Sequence, residues 1–347
     1  MNDVADRVED RLTRRAFGGR ANIVALRVLL TGATGFIGTE VARQLSAAGH
    51  STRVLIRRPS RSPLLAGLAV EPVFGDLLSV PSLERAVEGV EVVIHLGGRA
   101  TFEPYVRLHP TLVEGTTQLG RAAAEAGVEH IVYGSSMFVY DGSSAVDDHT
   151  IAHPLLAYGR AKLLAEAALA RIADAGGPTV ASIRLPHVYG PQSLLFGLVR
   201  QRRVLFPGPG DNPFAQLHVE DAARILIEAA IQRWSGTAAV ADDEMVTWNE
   251  FFETLTTFAP NVRVLRVSRH LATSAAAVGG AFLGRVGPTM VSADTVRGWN
   301  LSLTLKSRKL WTELGLTPRY PSVVEGIPAT LDGFVAFRWR HPLFDRS

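Results

Sequence analysis

Between Leu26 and about Leu185, short runs rich in valine, isoleucine and leucine alternate with longer stretches whose apolar residues recur at helical spacing. The pattern predicts strands at Leu26–Thr31, Thr52–Arg57, Val70–Phe74, Val92–Leu96, His130–Gly134 and Val180–Leu185. Helices are predicted over Phe36–Ala48, Ser82–Glu88, Thr111–Ala126 and Ala157–Ala173, with Gly49 and Gly127 where a helix end accepts positive φ. Apolar strands separated by helices are the rhythm of an α/β fold, a doubly wound parallel sheet covered on both faces. After Pro191 the pattern changes. A proline- and glycine-rich loop, Phe206-Pro-Gly-Pro-Gly-Asp-Asn-Pro213, precedes His218-Val-Glu-Asp221 and an amphipathic helix reaching about Gln232. Beyond Asp242 the segments are mostly helical and end near Phe334.

These boundaries divide the chain into a tail (1–24), a nucleotide-binding unit (25–190, to which 218–241 returns), a smaller, mostly helical substrate-binding unit (191–217 and 242–334) and a second tail (335–347). The smaller unit is expected to close over the crevice at the carboxyl edge of the sheet, where open α/β sheets bind ligands.

Composition narrows the choice. The chain has 347 residues, 47% hydrophobic and 20% charged, enough to bury a large core. Its net charge of +3 and pI near 9.4 come without a long basic run, so no nucleic-acid partner is expected and a small molecule is. Zero cysteines exclude disulfides, thiolate nucleophiles and cysteine-ligated metals, and fit a cytoplasmic chain; no metal site is expected. The longest uncharged run, Leu271 to Gly284, is fourteen residues, short of the roughly 20 that span a bilayer. It reads as a buried helix of the smaller unit, with peripheral membrane contact as the alternative. Thr13-Arg14-Arg15-Ala16-Phe17 looks like a twin-arginine export signature, but no small-residue cleavage site precedes the first strand, and the segment reads as a charged tail.

Chemistry enters at four places. Gly32-x-x-Gly35-x-x-Gly38 lies between the first strand and the helix opening at Phe36. In that context the turn, with Thr34, Phe36 and Ile37, lets backbone N–H groups approach the pyrophosphate of a dinucleotide. The second strand ends in Arg57-Arg58 instead of the carboxylate that would hold an NAD ribose, which favours NADP(H) over NAD(H). The competing reading is two solvated arginines in an arginine-rich chain. Asp76 and Leu77 follow the third strand where an adenine edge would be read, Asp76 being equally a simple turn residue. Finally, Tyr158-Gly-Arg-Ala-Lys162 puts a phenol and an ammonium on one helix face, where the cation can lower the phenol's pKa. Of 36 basic residues only Lys162, Lys306 and Lys309 are lysines, so Lys162 marks a place where an ammonium is needed.

From Leu26 to Phe334 the chain resembles the extended short-chain dehydrogenase/reductases, the NAD(P)-dependent epimerase, dehydratase and reductase group, with their Rossmann fold. The matching segments are TGATGFIG, FGDLLS, VVIHLGG, VEGTTQL, IVYGSSMFVY, YGRAK, RLPHVYGP, LHVEDAA and LGLTPRYPSVVEG. The resemblance implies that Leu96, Gly97 and Gly98 border the cofactor, and that Ser136 hydrogen-bonds a substrate oxygen. It also implies that Lys162 holds the nicotinamide ribose, and that Pro186, His187 and Val188 flank the nicotinamide. Family members often dimerise through two long helices, here those containing Thr111–Ala126 and Tyr158–Ala173, so a homodimer is allowed.

Three departures bear on function. Leu112 stands where the family has asparagine. Phe214-Ala-Gln-Leu-His-Val219 lacks the diphosphate-binding arginine of the nucleotide-sugar enzymes, for which Arg200, Arg202 or Arg203 could substitute. Met137 and Phe138 replace the dehydratases' Asp-Glu pair. With Phe102, His187 and Tyr189, Met137 and Phe138 suggest an apolar substrate pocket, ordinary core packing being the alternative for Phe138. His95 and His218 are expected to be structural. The expected function is NADP(H)-dependent hydride transfer with a ketone or secondary alcohol, using Ser136, Tyr158 and Lys162. A nucleotide-sugar epimerase is the alternative, and a non-catalytic NADP-sensing regulator a further one.

Overall fold

The computed structural model describes residues 25–143, 145–274 and 292–340. The tail 1–24 with its twin-arginine sequence, residues 275–284 of the uncharged run and the end of the second tail (341–347) lie outside them.

In chain order the strands are β1 Arg27–Thr31, β2 Ser51–Ile56, β3 Val70–Phe74, β4 Val92–His95, β5 His130–Ser136, β6 Thr179–Leu185, β7 His187–Tyr189, β8 Arg203–Pro207, β9 Pro213–Phe214, β10 Gln216–His218, β11 Gly236–Ala239, β12 Val246–Thr247 and β13 Arg263–Val267. The helices are α1 Phe36–Ala47, α2 Val80–Val87, α3 Tyr105–His109, α4 Gly115–Glu125, α5 Ala157–Asp174, α6 Leu194–Arg200, α7 Val219–Ile231, α8 Trp248–Phe258, α9 Ala293–Trp299, α10 Lys309–Glu313 and α11 Val323–Arg340.

Seven strands form one parallel sheet in the order β11-β6-β5-β4-β1-β2-β3. Alternate side chains feed opposite faces. Leu30, Val54, Ile56 and Ile94 meet Val41 and Leu45 of α1 and Ile225 and Leu226 of α7 on one face. Leu29, Val93, Ile131 and Tyr133 meet Leu83 of α2, Leu119 of α4 and Leu169 of α5 on the other. This is why the strands read as unbroken apolar runs: both faces are covered, and each fully buried leucine or isoleucine contributes about 1.5–3 kcal/mol. The order reverses between β1 and β4, the place at the carboxyl edge where open α/β sheets bind ligands.

Residues beyond 191 pack a second apolar cluster around Phe196, Phe206, Trp248, Phe251, Phe252 and Ile327. This region holds more strand than the apolar pattern predicted: β8 pairs with β13 and β9 with β12. Pairs of two to five residues next to proline and glycine leave too short a period to be read from sequence. The helix expected from Thr111 begins earlier, at Tyr105, and contains a π-turn over Pro110–Glu114. Pro110 has no N–H for a regular i to i−4 bond, and the wider turn takes up the mismatch. That turn falls on Leu112, the position where the resemblance leads one to expect asparagine. Among the described residues no helix is long and apolar enough to cross a membrane.

Candidate active site

The turn after β1 is shaped for close approach. Gly32 has φ of 76°, and a Cβ there would lie 2.6 Å from the Leu96 carbonyl carbon; one on Gly38 would lie 2.0 Å from the Gly32 oxygen. Only hydrogen fits at either place. The Gly35 cap supplies no side-chain acceptor and the first turn of α1 has no acid, so the N–H groups of Phe36, Ile37 and Gly38 are left for an anion. The residues present therefore fit a dinucleotide pyrophosphate.

A buried chain of hydrogen bonds ties this turn to the helix opposite. Gly97 N–H donates to Thr31 Oγ1 (3.0 Å), and Thr116 Oγ1 donates to the Leu112 carbonyl (2.7 Å). The Thr116 hydroxyl is thus left to accept from His95 Nε2 (2.9 Å), and His95 Nδ1 to accept from Thr31 (2.6 Å). Every proton has a place, with His95 neutral. Burial, assisted by the Lys162 charge, lowers its pKa to about 3. His218 is also neutral, lowered to about 3 mainly by burial, and its Nδ1 accepts from Glu220 N–H at the start of α7. Both histidines are structural, as expected. Leu77 packs beneath the same turn, against Gly97 and Gly115. Asp76 accepts from Leu78 N–H (3.0 Å) and so acts as a turn residue. Arg57 and Arg58 are exposed after β2 and form no ion pair among the described residues.

Tyr158 and Lys162 stand on α5 facing the end of β5. Gly159 makes that contact possible: a Cβ there would lie 1.8 Å from the Phe138 carbonyl oxygen. Ser136 Oγ accepts from Phe138 N–H (3.2 Å), capping the single turn Met137–Val139 and leaving its own proton to donate. The Lys162 ammonium donates to the Gly134 carbonyl (2.7 Å), 4.7 Å from the Tyr133 ring centre and 5.8 Å from that of Tyr158. This corrects the expected tuning. Burial pushes the Tyr158 phenol up, and the same burial, opposed by Glu166, lowers Lys162 to about 8. Desolvation outweighs the ammonium's effect on the phenol because the lysine is bonded to the carbonyl.

Lys162 has a consequence for stability. Its folded pKa of about 8 lies below the ordinary 10.5, so between these values the unfolded chain binds more protons and stability rises with pH. Lys162→Met, which removes the buried charge, is expected to melt higher than the wild type below pH 8, and this advantage should shrink across the window. Melting curves through that range check it; a constant difference would contradict it.

Sequence reading missed the anchor behind these groups. Glu166, the next residue on the Tyr158 and Lys162 stripe, accepts from Arg184 Nη2 (2.7 Å) and Nε (3.1 Å) and from the Ser135 hydroxyl. Arg184 also donates to the Tyr140 hydroxyl (2.7 Å). This pair, with Glu166 buried and Arg184 partly so, fixes Ser135 and with it the strand end carrying Ser136. The i, i+4, i+8 spacing was the available signal.

The wall beside Tyr158 is aromatic. Phe102 and Phe138 meet edge to face at 5.1 Å, and their ring centres lie 6.0 Å and 6.4 Å from that of Tyr158. Arg99 forks onto Glu103 (2.8 and 2.9 Å), bracing the loop that carries Phe102 and holding that carboxyl below its usual range. From the second unit, Ser292 donates to the Phe102 carbonyl (2.7 Å) and Asp294 accepts from Ala157 N–H (3.3 Å), which seats α9 over the crevice.

Two expected substrate contacts are corrected. Tyr189 is fully buried, its ring against His218 and Phe251 and its hydroxyl toward Asp242 and the Ser322 carbonyl, so it is core. Met137 is likewise buried, with Val139, Tyr140 and Leu303. His187 packs on Trp248, Phe214 and Trp299, with burial lowering its pKa to about 4, while Pro186 and Val188 are half-buried beside it.

Sequence and fold match known proteins. Residues 28–238 fit the profile of the NAD dependent epimerase/dehydratase family. The chain belongs to this family. As a member it is an NAD(P)-dependent enzyme of the extended short-chain dehydrogenase/reductase type. It is similar to a ceramide reductase of Caulobacter vibrioides, 31% identical over 229 residues, 64% of this chain and 67% of the relative. It is also similar to a 3-beta-hydroxysteroid dehydrogenase of Mycolicibacterium neoaurum, 34% identical over 128 residues, 35% of this chain and 34% of the relative. The solved structure of MoeE5 in complex with UDP-glucose and NAD aligns with a TM-score of 0.71 at 25% identity, covering 88% of this chain and 97% of that one.

Proposed function

We propose that this family member is an NADP(H)-dependent oxidoreductase acting on a ketone or secondary alcohol within a largely apolar molecule. The observation that carries this reading is the aromatic wall of Phe102 and Phe138 beside Tyr158. It is supported by the similarity to a ceramide reductase and a 3-beta-hydroxysteroid dehydrogenase. The segment that would bring a diphosphate-binding arginine instead carries Phe214 and Ala215, both buried. Arg203, a candidate substitute, lies on the exposed side of β8.

The glycine turn and the start of α1 would hold the pyrophosphate, Arg57 and Arg58 a 2′-phosphate, and Lys162 the nicotinamide ribose. The bound dinucleotide supplies or accepts the hydride. Ser136 donates a hydrogen bond to the substrate oxygen, fixing the carbonyl beside Tyr158. Tyr158 delivers a proton to that oxygen during reduction and takes it back during oxidation. Burial keeps the phenol in its protonated form, the form that donates during reduction, beside the half-buried aromatic wall. Glu166 and Arg184 hold the strand end in register.

Replacing both Arg57 and Arg58 with glutamine is expected to weaken NADPH binding about tenfold or more and leave NADH binding unchanged, since each charge-assisted bond is worth about 1.5–3 kcal/mol. Fluorescence titration of each cofactor checks this; equal losses for both would remove the argument for NADP. The nucleotide-sugar reading is retained as a second one, because MoeE5 is similar in fold and was solved with UDP-glucose. Reduction of apolar ketones by NADPH, compared with conversion of UDP-hexoses, separates the two.

A further inference from the structure

The outer side of the β8–β13 pair carries a pattern that the proposed chemistry does not use. Along β8, Val204 and Phe206 are buried while Arg203 and Leu205 are exposed; along β13, Arg263 and Leu265 are exposed. The parallel register sets Arg203 beside Arg263 and Leu205 beside Leu265. The two leucines are 63% and 49% exposed. Neighbouring like charges repel and paired exposed leucines gain nothing from water, so both costs stand while this face is bare.

The surroundings extend the pattern. Arg202, Arg266, Arg269 and Leu271 are exposed, and residues 269–274 are helical. Neither 201–209 nor 261–274 contains an aspartate or glutamate. Among the described residues Arg202, Arg203, Arg263 and Arg269 form no ion pair. Arg266 donates to the Pro209 carbonyl (2.6 Å) and lies over the Phe206 ring.

We infer that this face docks on a bilayer containing anionic phospholipid, with Leu205 and Leu265 entering the headgroup boundary and the flanking arginines on lipid phosphates. Leucines in the middle of a cationic surface suit a lipid interface, where apolar and anionic groups lie within a few ångströms of each other. A nucleic-acid backbone offers the charge and nothing for the leucines.

The face is also joined to the crevice. Asn300, at the end of α9, donates to the Pro207 carbonyl of β8 (2.6 Å), while Ser292 at the other end donates to the Phe102 carbonyl (2.7 Å). At about 1.5 Å per residue, α9 bridges the two over about 12 Å. Docking would therefore set the aromatic crevice close to the membrane in which an apolar ketone dissolves; this use of the surface rests on the proposed substrate class.

The test is co-sedimentation of the full chain with vesicles of phosphatidylcholine alone and of phosphatidylcholine mixed with phosphatidylglycerol. Binding is expected to the mixed vesicles only and to weaken with added salt. At about 1 kcal/mol per surface arginine, the double variant R203Q/R263Q should bind about thirtyfold more weakly. L205Q/L265Q should also lose binding, and both should melt like the wild type and reduce a water-soluble ketone unchanged. Equal binding to both vesicles, no binding, binding untouched by either double variant, or capture of a duplex oligonucleotide in place of vesicles would overturn the inference. If mixed vesicles bind but no ketone is reduced, the functional reading fails and the surface stands; the reverse result rejects the surface alone.

Discussion

Tyr158→Phe is expected to lower turnover by about 10²- to 10⁴-fold, the usual contribution of a positioned proton donor, while leaving cofactor affinity and melting temperature close to wild type. No protein group among the described residues hydrogen-bonds the Tyr158 hydroxyl, so removing that oxygen breaks nothing in the fold. The ring keeps its edge-to-face contacts with Phe102 and Phe138. Single-turnover kinetics with saturating NADPH isolates the chemical step. A variant that keeps most of its rate would show that the proton comes from elsewhere; one that melts early would show that the hydroxyl is structural.

Gly159→Ala should damage both stability and activity. The added methyl would lie 1.8 Å from the Phe138 carbonyl oxygen, a backbone atom that cannot turn aside. Overpacking of this kind costs about 1–3 kcal/mol, and more where the obstacle is backbone. The start of α5 must then move away from β5, separating Tyr158 from Ser136, whose Oγ is fixed by the Phe138 N–H. Thermal melting and turnover, measured on the same preparation, should fall together. Wild-type values for both would mean that α5 does not need this contact, and the geometry of the site would have to be redrawn.

The parallel sheet was legible because its strands are covered on both faces, which leaves continuous apolar runs, and because the glycine turn sits between a strand and a helix. Tyr158, Lys162 and Ser136 could be named from spacing and resemblance. What they do to each other's pKa could not: the expected lowering of the phenol assumed an ammonium aimed at it, whereas Lys162 donates to the Gly134 carbonyl and burial dominates both groups. Tyr189 and Met137 were misplaced for a related reason. Sequence shows that a residue is apolar and near a motif, but only the packing of β7 and of the turn after β5 shows which face it takes. The Thr31–His95–Thr116 chain could not be read from sequence either, since its members are far apart along the chain and meet only where β1 pairs with β4 and α4 packs against them.

The central claim is net redox chemistry on an apolar ketone, and the most direct measurement is a product balance. Purified protein is incubated with NADPH and a panel of apolar ketones, and in parallel with UDP-hexoses, and nicotinamide and carbon products are quantified together. The account predicts one NADP⁺ formed per alcohol with at least one ketone, and no reaction of the sugars. Interconversion of a UDP-hexose without net change in nicotinamide, on a tightly retained NAD, would contradict it.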